Sequence, residues 1–279
     1  MKRKLLFRAA SAVILACVAL VSLTPFVYLL TTSLVSDMSL VFKNGIALEI
    51  QRDMLGLSNY LMLYTENTGL FFSWFKNSVV ITIMFTALSV LFSSMVGYGA
   101  AMYQFKGKKF IIVMILSTMM IPIETLMIPL YNEMRAFHLL NTYAGVVLPF
   151  AVSSFTIYFF LQYAQTLSKD FMDAARIDGC GEIRIFANIM IPLMKPAFAS
   201  MIILQATTAW NDFLWPLIVM SKNRSFTLTV GLQTYLSPYG SNYNLLFAGA
   251  VVSVVPVIIP FFACQKLFME GMIMGGIKG

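Results

Sequence analysis

The sequence predicts an all-α membrane protein of six transmembrane helices. Of its 279 residues, 59% are hydrophobic and 11% charged, with mean hydropathy +0.82; a soluble domain carries about a quarter charged residues. Several charge-free runs exceed the roughly 20 residues needed to cross the hydrocarbon core. These runs recur along the whole chain, which excludes one anchor carrying a soluble domain. No internal repeat or low-complexity linker divides them, so 1–279 reads as a single transmembrane domain.

The spans follow in order. Helix 1 lies within 9–34; its uncharged stretch from Ala9 to Leu34 is too long for the 7–15 residue core of a cleaved signal. Helix 2 lies within 77–105. The segment before it, 35–76, ends in LFFSWFKNS, whose Phe71, Phe72, Trp74 and Phe75 fit an aromatic belt or a short interfacial helix. Helix 3 begins at Phe110 and is interrupted by Glu124. Helix 4 lies within 139–163, helix 5 begins at Pro196 and contains Asp212, and helix 6 lies near 245–265. Pro122, Pro129 and Pro216 are expected to bend their helices.

Orientation follows from lysine and arginine, which accumulate in cytoplasmic loops. Six spans put both termini on one side. That side holds Lys2, Arg3, Lys4, Arg8, Lys106, Lys108, Lys109, Lys169, Arg176, Arg184, Lys195, Lys266 and Lys278, thirteen of the 19 cations. The other side holds Lys43, Arg52, Lys76, Arg135, Lys222 and Arg224. The termini, the 2–3 loop and the 4–5 loop are therefore expected in the cytoplasm. The net charge of +7 reflects this bias rather than a nucleic-acid surface.

Several chemistries are excluded. Cys17, Cys180 and Cys264 form no C-x-x-C pair, and His138 is the one histidine, so neither a disulfide framework nor a metal site is expected. There is no G-x-x-x-x-G-K-[ST] phosphate loop; KGKK at 106–109 lacks the glycine spacing and the following hydroxyl residue. No G-x-S-x-G elbow or Ser/His/Asp set is present.

The chemistry-bearing segment is the 4–5 loop, about 164–196. Ser168 reads as an N-cap with Asp170 in the first turn, where the helix dipole favours negative charge. Gly179 ends this helix in the left-handed conformation. A second helix follows with Ile183, Phe186, Ile189 and Met190 on one face; Pro192 ends it, and Pro196 starts helix 5. Small Ala174 and Ala175, fixed charges at Asp173 and Asp178, and a glycine elbow together describe a knob shaped for a protein socket rather than a lipid-facing helix.

These residues carry a resemblance. The stretch Asp173-Ala174-Ala175-Arg176-Ile177-Asp178-Gly179-Cys180, followed by Phe186, Ile189, Pro192 and Pro196, resembles the EAA loop of permease subunits in binding-protein-dependent ABC importers. Every gap matches; Asp173 stands for the usual glutamate and Cys180 for a common alanine. NTYAGVVLPF (141–150), WNDFLWPLIV (210–219) and the tail QKLFMEGMIMGGIKG (265–279) look like the carbohydrate-uptake branch, most of all the second permease of maltose-type importers. The resemblance implies a type I importer permease fold, with Asp173, Ala174, Ala175, Asp178, Gly179, Phe186 and Pro192 coupling it to a separate ATPase. It also implies tail contacts from Phe268, Gly271 and Lys278. The implied partners are a second homologous permease in a heterodimer, two copies of the ATPase, which hold the ATP and Mg, and an extracytoplasmic solute-binding protein. This chain is expected to bind no cofactor, no metal and no nucleic acid, and to be a multi-pass protein of a bacterial or archaeal cell membrane, non-catalytic, importing a sugar or oligosaccharide.

Ionisable groups in spans are expensive and tend to face a cavity or a partner. Asp212 lies 16 residues beyond Pro196, about 24 Å along a helix. It, Glu124, and the sugar-compatible Gln205, Trp210 and Asn211 are the translocation-path candidates, with packing as the alternative role for the two acids. Two rival functions follow from the same residues. A glycerol phosphate permease would favour cations facing the pathway, and the predicted spans carry none. An ion-coupled secondary transporter using Asp212 or Glu124 often shows inverted repeats, and none is found.

Overall fold

A computed structural model describes residues 2–36, 55–65, 69–236 and 241–276. Among them the chain is helical, with one isolated antiparallel bridge between Val35 and Leu55. In order the helices are α1 (Lys2–Ser33), α2 (Ser58–Thr65), α3 (Leu70–Met102), α4 (Lys108–Thr118), α5 (Met127–Ala136), α6 (Tyr143–Val147), α7 (Ser154–Ala164), α8 (Asp170–Ile177), α9 (Glu182–Ile185), α10 (Lys195–Asn211), α11 (Leu214–Val219), α12 (Leu228–Gln233) and α13 (Tyr243–Gly276).

Among the described residues, two helices are long and apolar enough to cross a membrane, Ala10–Ser33 within α1 and Leu70–Met102. Three bent pairs pass the same test together: Lys108–Thr118 with Ile123–Ala136, bent by 93°; Tyr143–Phe150 with Ser154–Ala164, by 47°; and Glu182–Leu193 with Lys195–Asn211, by 83°. Counting each pair as one span gives five by length and composition, and α13 adds a shorter apolar stretch over Tyr243–Ile259.

The breaks have local causes. Pro122, extended at ψ 128°, separates α4 from the 3-10 turn Ile123–Leu126 that leads into α5. Ser153 restarts the chain at α7 by accepting the Thr156 N–H at 3.3 Å. Two span ends differ from expectation. The aromatic run does not precede helix 2; it forms the first turns of α3, because Trp74 is buried and its indole N–H donates to the Asn223 carbonyl at 2.7 Å. Asp212 is not inside helix 5; α10 stops at Asn211 and Asp212 is extended, at φ −65° and ψ 128°.

The chain divides into two compact units. The first comprises Met1–Phe72 with Gly231–Val255. Its α1 is exposed along its apolar length, as suits a lipid-facing helix. The polar centre of this unit is Asn59, fully buried, which donates to the carbonyls of Ser33 and Val35 at 2.9 Å and accepts from Asn244 at 3.0 Å. The expected 35–76 segment is described only in part; 37–54 and 66–68 lie outside the described residues.

The second unit comprises Ser73–Val230 with Pro256–Gly279, and two apolar cores form among its described residues. One joins Ile81 of α3, Met134 of α5, Val146 and Val147 of α6, and Trp215 and Val219 of α11. The other joins Tyr98, Ala101 and Met102 of α3 and Phe160 and Ala164 of α7 to Met172, Ala175, Ile185, Phe186 and Met190 of the 4–5 loop. At this second core α3 and α7 touch through Gly97. A Cβ there would stand 2.6 Å from the Ile157 carbonyl oxygen and 2.7 Å from the Phe160 Cβ, so glycine is what permits the contact.

Candidate functional site

The knob is built by short-range forces. The Ser168 hydroxyl accepts the Asp170 N–H at 3.2 Å and donates to its carboxylate at 2.7 Å, closing the entry to α8 two residues before the helix begins. Met172 and Ala175 are buried in the core beneath; Phe171, Asp173, Ala174, Arg176 and Ile177 are exposed. The two alanines therefore separate, Ala175 facing the protein and Ala174 facing out. Gly179 is left-handed at φ +77°, and the Cys180 N–H reaches back five residues to the Ala175 carbonyl at 2.9 Å, a glycine C-cap. Open space surrounds Gly179; its conformation, not crowding, demands glycine there.

The second arm departs from expectation. It starts as α9 after Gly181, then widens into a π-turn over Phe186–Met190, resumes through Ile191–Leu193 and ends at Met194. Pro192 does not end it. With no N–H to give to the carbonyl of Asn188, four residues back, proline is accommodated by the wider turn just upstream. The four residues expected on one face also separate. Phe186 and Met190 are buried and Ile189 half-buried, but Ile183 is 85% exposed, as Ile177 is 87% exposed across the elbow. The elbow thus presents bare aliphatic tips beside the carboxylates of Asp173 and Asp178.

An ionic cluster braces the elbow. Arg176 pairs with Asp173 at 3.2 Å and with Glu182 at 2.8 Å, so one guanidinium spans both arms. The other Glu182 oxygen accepts the Tyr103 hydroxyl, and the guanidinium carbon lies 5.8 Å from the Tyr103 ring centre. The Arg176 hydrogen bond, with help from Tyr103, holds the Glu182 carboxyl below its ordinary value. The same bond raises Arg176. Burial, then the bond to Glu182, raises the Tyr103 phenol. Sequence reading missed Tyr103 and Glu182, because they are 79 residues apart and no local spacing links them.

The path candidates do not converge. Gln205 is buried and donates to Ser89 of α3 at 2.5 Å. Asn211 turns back to the Thr207 carbonyl at 2.9 Å. The Asp212 carboxylate lies near the backbone N–H groups of Phe213 and Trp215, just ahead of α11, whose N-cap is Phe213. Glu124 is exposed in the turn between α4 and α5. Trp210 alone of the five lines a cavity of about 570 Å³ between α3, α10 and the Pro256 region of α13. Its other walls are mostly aliphatic, with the Thr82 and Thr86 hydroxyls buried there without partners. Such a wall offers little to the hydroxyls of a sugar. Of the tail candidates, Phe268 and Gly271 belong to α13, and Lys278 lies outside the described residues.

A helical chain with a charged elbow between apolar helices has known counterparts. The family described as binding-protein-dependent transport system inner membrane component matches residues 89–273, the elbow and both of its flanking spans included. The chain belongs to this family. It is 47% identical over 264 residues to the arabinooligosaccharides transport system permease protein AraQ of Halalkalibacterium halodurans, covering 95% of this chain and 94% of that one. It is 45% identical to AraQ of Bacillus subtilis over 273 residues, 98% and 96% of the two chains. Against the lactose transport system permease protein LacG of Rhizobium radiobacter it is 37% identical over 204 residues, 73% and 74%. Among solved structures, a bacterial ABC transporter involved in the import of the acidic polysaccharide alginate matches with TM-score 0.80 at 26% identity, covering 94% of this chain and 96% of that one.

This transport-system permease carries a second built feature at the opposite end of α3. Asn77 donates to the carbonyls of Arg224 and Phe226 at 2.9 Å each and accepts the Tyr143 hydroxyl at 2.7 Å. Ser78 accepts the Leu228 N–H at 2.8 Å. Asn141, left-handed at φ +60°, accepts the N–H groups of Ser221 and Lys222 at 2.7 and 3.0 Å. With Trp74 these side chains fix 221–228 against the start of α3 and the turn at Asn141. Asn77 and Ser78 read in sequence as span-edge polar residues, and nothing local reveals partners about 150 positions away.

Proposed function

We propose that this permease is one of two homologous membrane subunits of an ATP-driven importer that takes up an oligosaccharide delivered by an extracytoplasmic solute-binding protein. The near full-length similarity to permeases named for arabinooligosaccharide transport carries the substrate class and makes arabino-oligosaccharides the first sugars to assay. Neither glycerol phosphate nor an ion-coupled mechanism is favoured by such relatives. Two copies of a separate ATPase bind ATP and Mg; this chain binds no cofactor and sits in a bacterial or archaeal cell membrane with both termini in the cytoplasm.

In this reading the elbow is the surface that the ATPase grips. Its exposed Ile177 and Ile183 tips are apolar area that a monomer has reason to cover. Small Ala174 lets another backbone come close, and Asp173 and Asp178 fix the register by charge. ATP binding closes the ATPase dimer, and the gripped elbow passes that motion to the helices. The work is mechanical, since a ligand shifts a conformational equilibrium only through contacts that differ between the two states.

The test is co-purification of the ATPase with Gly179→Val and Asp173→Lys, followed by ATP hydrolysis and uptake in vesicles with and without loaded binding protein. Gly179 has room for a side chain, so valine costs about 1–2 kcal/mol of backbone strain and tilts one arm. Both variants should insert normally, then lose the ATPase or lose stimulation of hydrolysis by substrate. Wild-type retention, hydrolysis and uptake in both would refute the assignment.

A further inference from the structure

We infer that Tyr103 and Glu182 are positioning residues that clamp the elbow to the end of α3, so that displacement of the elbow drives α3 and α7 together with α10. The inference rests on the docking role proposed above and adds a second lever to it.

Two routes lead away from the elbow. The covalent route to α10 runs through α9, the π-turn over Phe186–Met190 and the 83° bend at Met194. A π-turn spaces its hydrogen bonds one residue wider than an α-helix, and a bend follows it, so this route contains two places that can flex. The side-chain route to α3 is shorter. Glu182 sits in the first turn of the second arm and holds Arg176 on the first arm with one oxygen and the Tyr103 hydroxyl with the other. A single carboxylate thus joins both arms of the elbow to the residue that follows α3.

Tyr103 is a firm anchor. Its N–H donates to the Gly99 carbonyl at 3.2 Å, extending the last turn of α3. The Lys108 ammonium donates to the carbonyls of Ala101 and Tyr103 at 3.3 and 3.1 Å, tying off the carbonyl end of the helix. The Tyr103 ring stands edge-on to Tyr98 at 5.8 Å, and Tyr98 meets Phe186 of the second arm at 5.1 Å. Next to Tyr98 in the chain, Gly97 brings α3 against α7 with no space for a Cβ. A push on the elbow therefore reaches α3 through one hydrogen-bonded carboxylate and a packed aromatic pair, and reaches α7 through a backbone contact. In water an exposed ion pair is worth little energy; the role inferred here is geometric, fixing where the elbow sits relative to α3.

The experiment uses the assembled transporter in vesicles with Tyr103→Phe, Glu182→Ala, Glu182→Gln and the double variant Tyr103→Phe/Glu182→Ala. Tyr103→Phe keeps the ring packing and removes only the hydroxyl. Expected are full retention of the ATPase, and a fall of about fivefold in the stimulation of hydrolysis by loaded binding protein, the scale of one lost hydrogen bond. The double variant should be no worse than Glu182→Ala, because both break the same link. Glu182→Gln, which keeps an oxygen for the tyrosine hydroxyl, should retain more stimulation than Glu182→Ala. Wild-type stimulation in Tyr103→Phe overturns the inference and leaves docking intact. Loss of the ATPase from Tyr103→Phe also overturns it, since the pair would then seat the socket rather than transmit motion. Wild-type behaviour of Gly179→Val in the same vesicles overturns the docking role and the clamp with it.

Discussion

Gln205 of α10 and Ser89 of α3 are both buried and joined by a 2.5 Å hydrogen bond from the glutamine amide to the serine hydroxyl. The bond engages an N–H of the glutamine amide in holding α10 to α3. Gln205→Leu should therefore lower the thermal stability of the permease by about 0.6–2 kcal/mol, the range for interhelical hydrogen bonds in membranes. Half-saturation of uptake should stay unchanged. Thermal unfolding in detergent and initial uptake rates separate the two outcomes; a raised half-saturation at unchanged stability would place Gln205 on the sugar's route.

Gly97 should tolerate no side chain without loss. Alanine there must move the Ile157 carbonyl or the Phe160 Cβ, at 2.6 and 2.7 Å from the added carbon. Overpacking of this kind costs about 1–3 kcal/mol, and leucine should prevent accumulation of the folded permease altogether. Gly179→Ala, in open space, should cost about 1 kcal/mol from its backbone alone. Melting temperatures of the two alanine variants in one detergent test the comparison, with Gly97→Ala the less stable.

Asp212 should behave as a helix cap. Asp212→Ala removes the carboxylate that lies near the Phe213 and Trp215 N–H groups and should cost about 1 kcal/mol. Asp212→Asn keeps an acceptor oxygen and should stay near wild-type stability. Uptake then decides the remaining question: a transport defect in Asp212→Asn with intact assembly and stability would show that the charge serves the pathway as well as the cap.

Glu182 sets a pH window for the elbow. Its carboxyl is held below the ordinary 4.5 by Arg176 and then Tyr103. A carboxyl depressed in the folded state stabilises it fully above the unfolded value, and that contribution fades as pH falls through the folded value. A spin label at Ala174→Cys, with Cys17, Cys180 and Cys264 replaced by serine, should show constant mobility from pH 8 to pH 5 and a rise only in stronger acid. Glu182→Gln should remove that acid transition.

The knob was legible because its determinants are local. Asp170 near a serine, alanines at adjacent positions and a glycine at the helix end all act within a few residues, and α8 and left-handed Gly179 follow from them, although the N-cap is Lys169 rather than the expected Ser168, whose hydroxyl instead bonds Asp170. The ends of the spans were less legible. Hydropathy alone cannot tell an aromatic run at an interface from one that continues a helix, and Trp74 is decided by the Asn223 carbonyl, 149 residues on. Asp212 was placed within a helix because charge and spacing say nothing of which backbone N–H groups a carboxylate will find. The elbow's second face was misjudged for a related reason: helical spacing sets Ile183 three residues before Phe186 in a regular turn, but spacing says nothing of how far the core beneath the arm extends, and Ile183 lies beyond it. Tyr103 with Glu182, and Gln205 with Ser89, are meetings of distant segments, which no spacing rule addresses.

The π-turn over Phe186–Met190 makes this stretch a reservoir of chain length. Each residue of an α-helix turns the chain by about 100°, and a π-turn takes up one extra residue in a single wider turn. Removing one residue between Phe186 and Met190 would therefore narrow that turn to α-helical width and leave the bearing of α8 and α9 nearly unchanged. The same deletion in the regular turn Glu182–Ile185 would swing Ile177 and Asp178 by the full angle. Phe186–Met190 is thus the part of the second arm where a codon can be lost with least effect on where the elbow points.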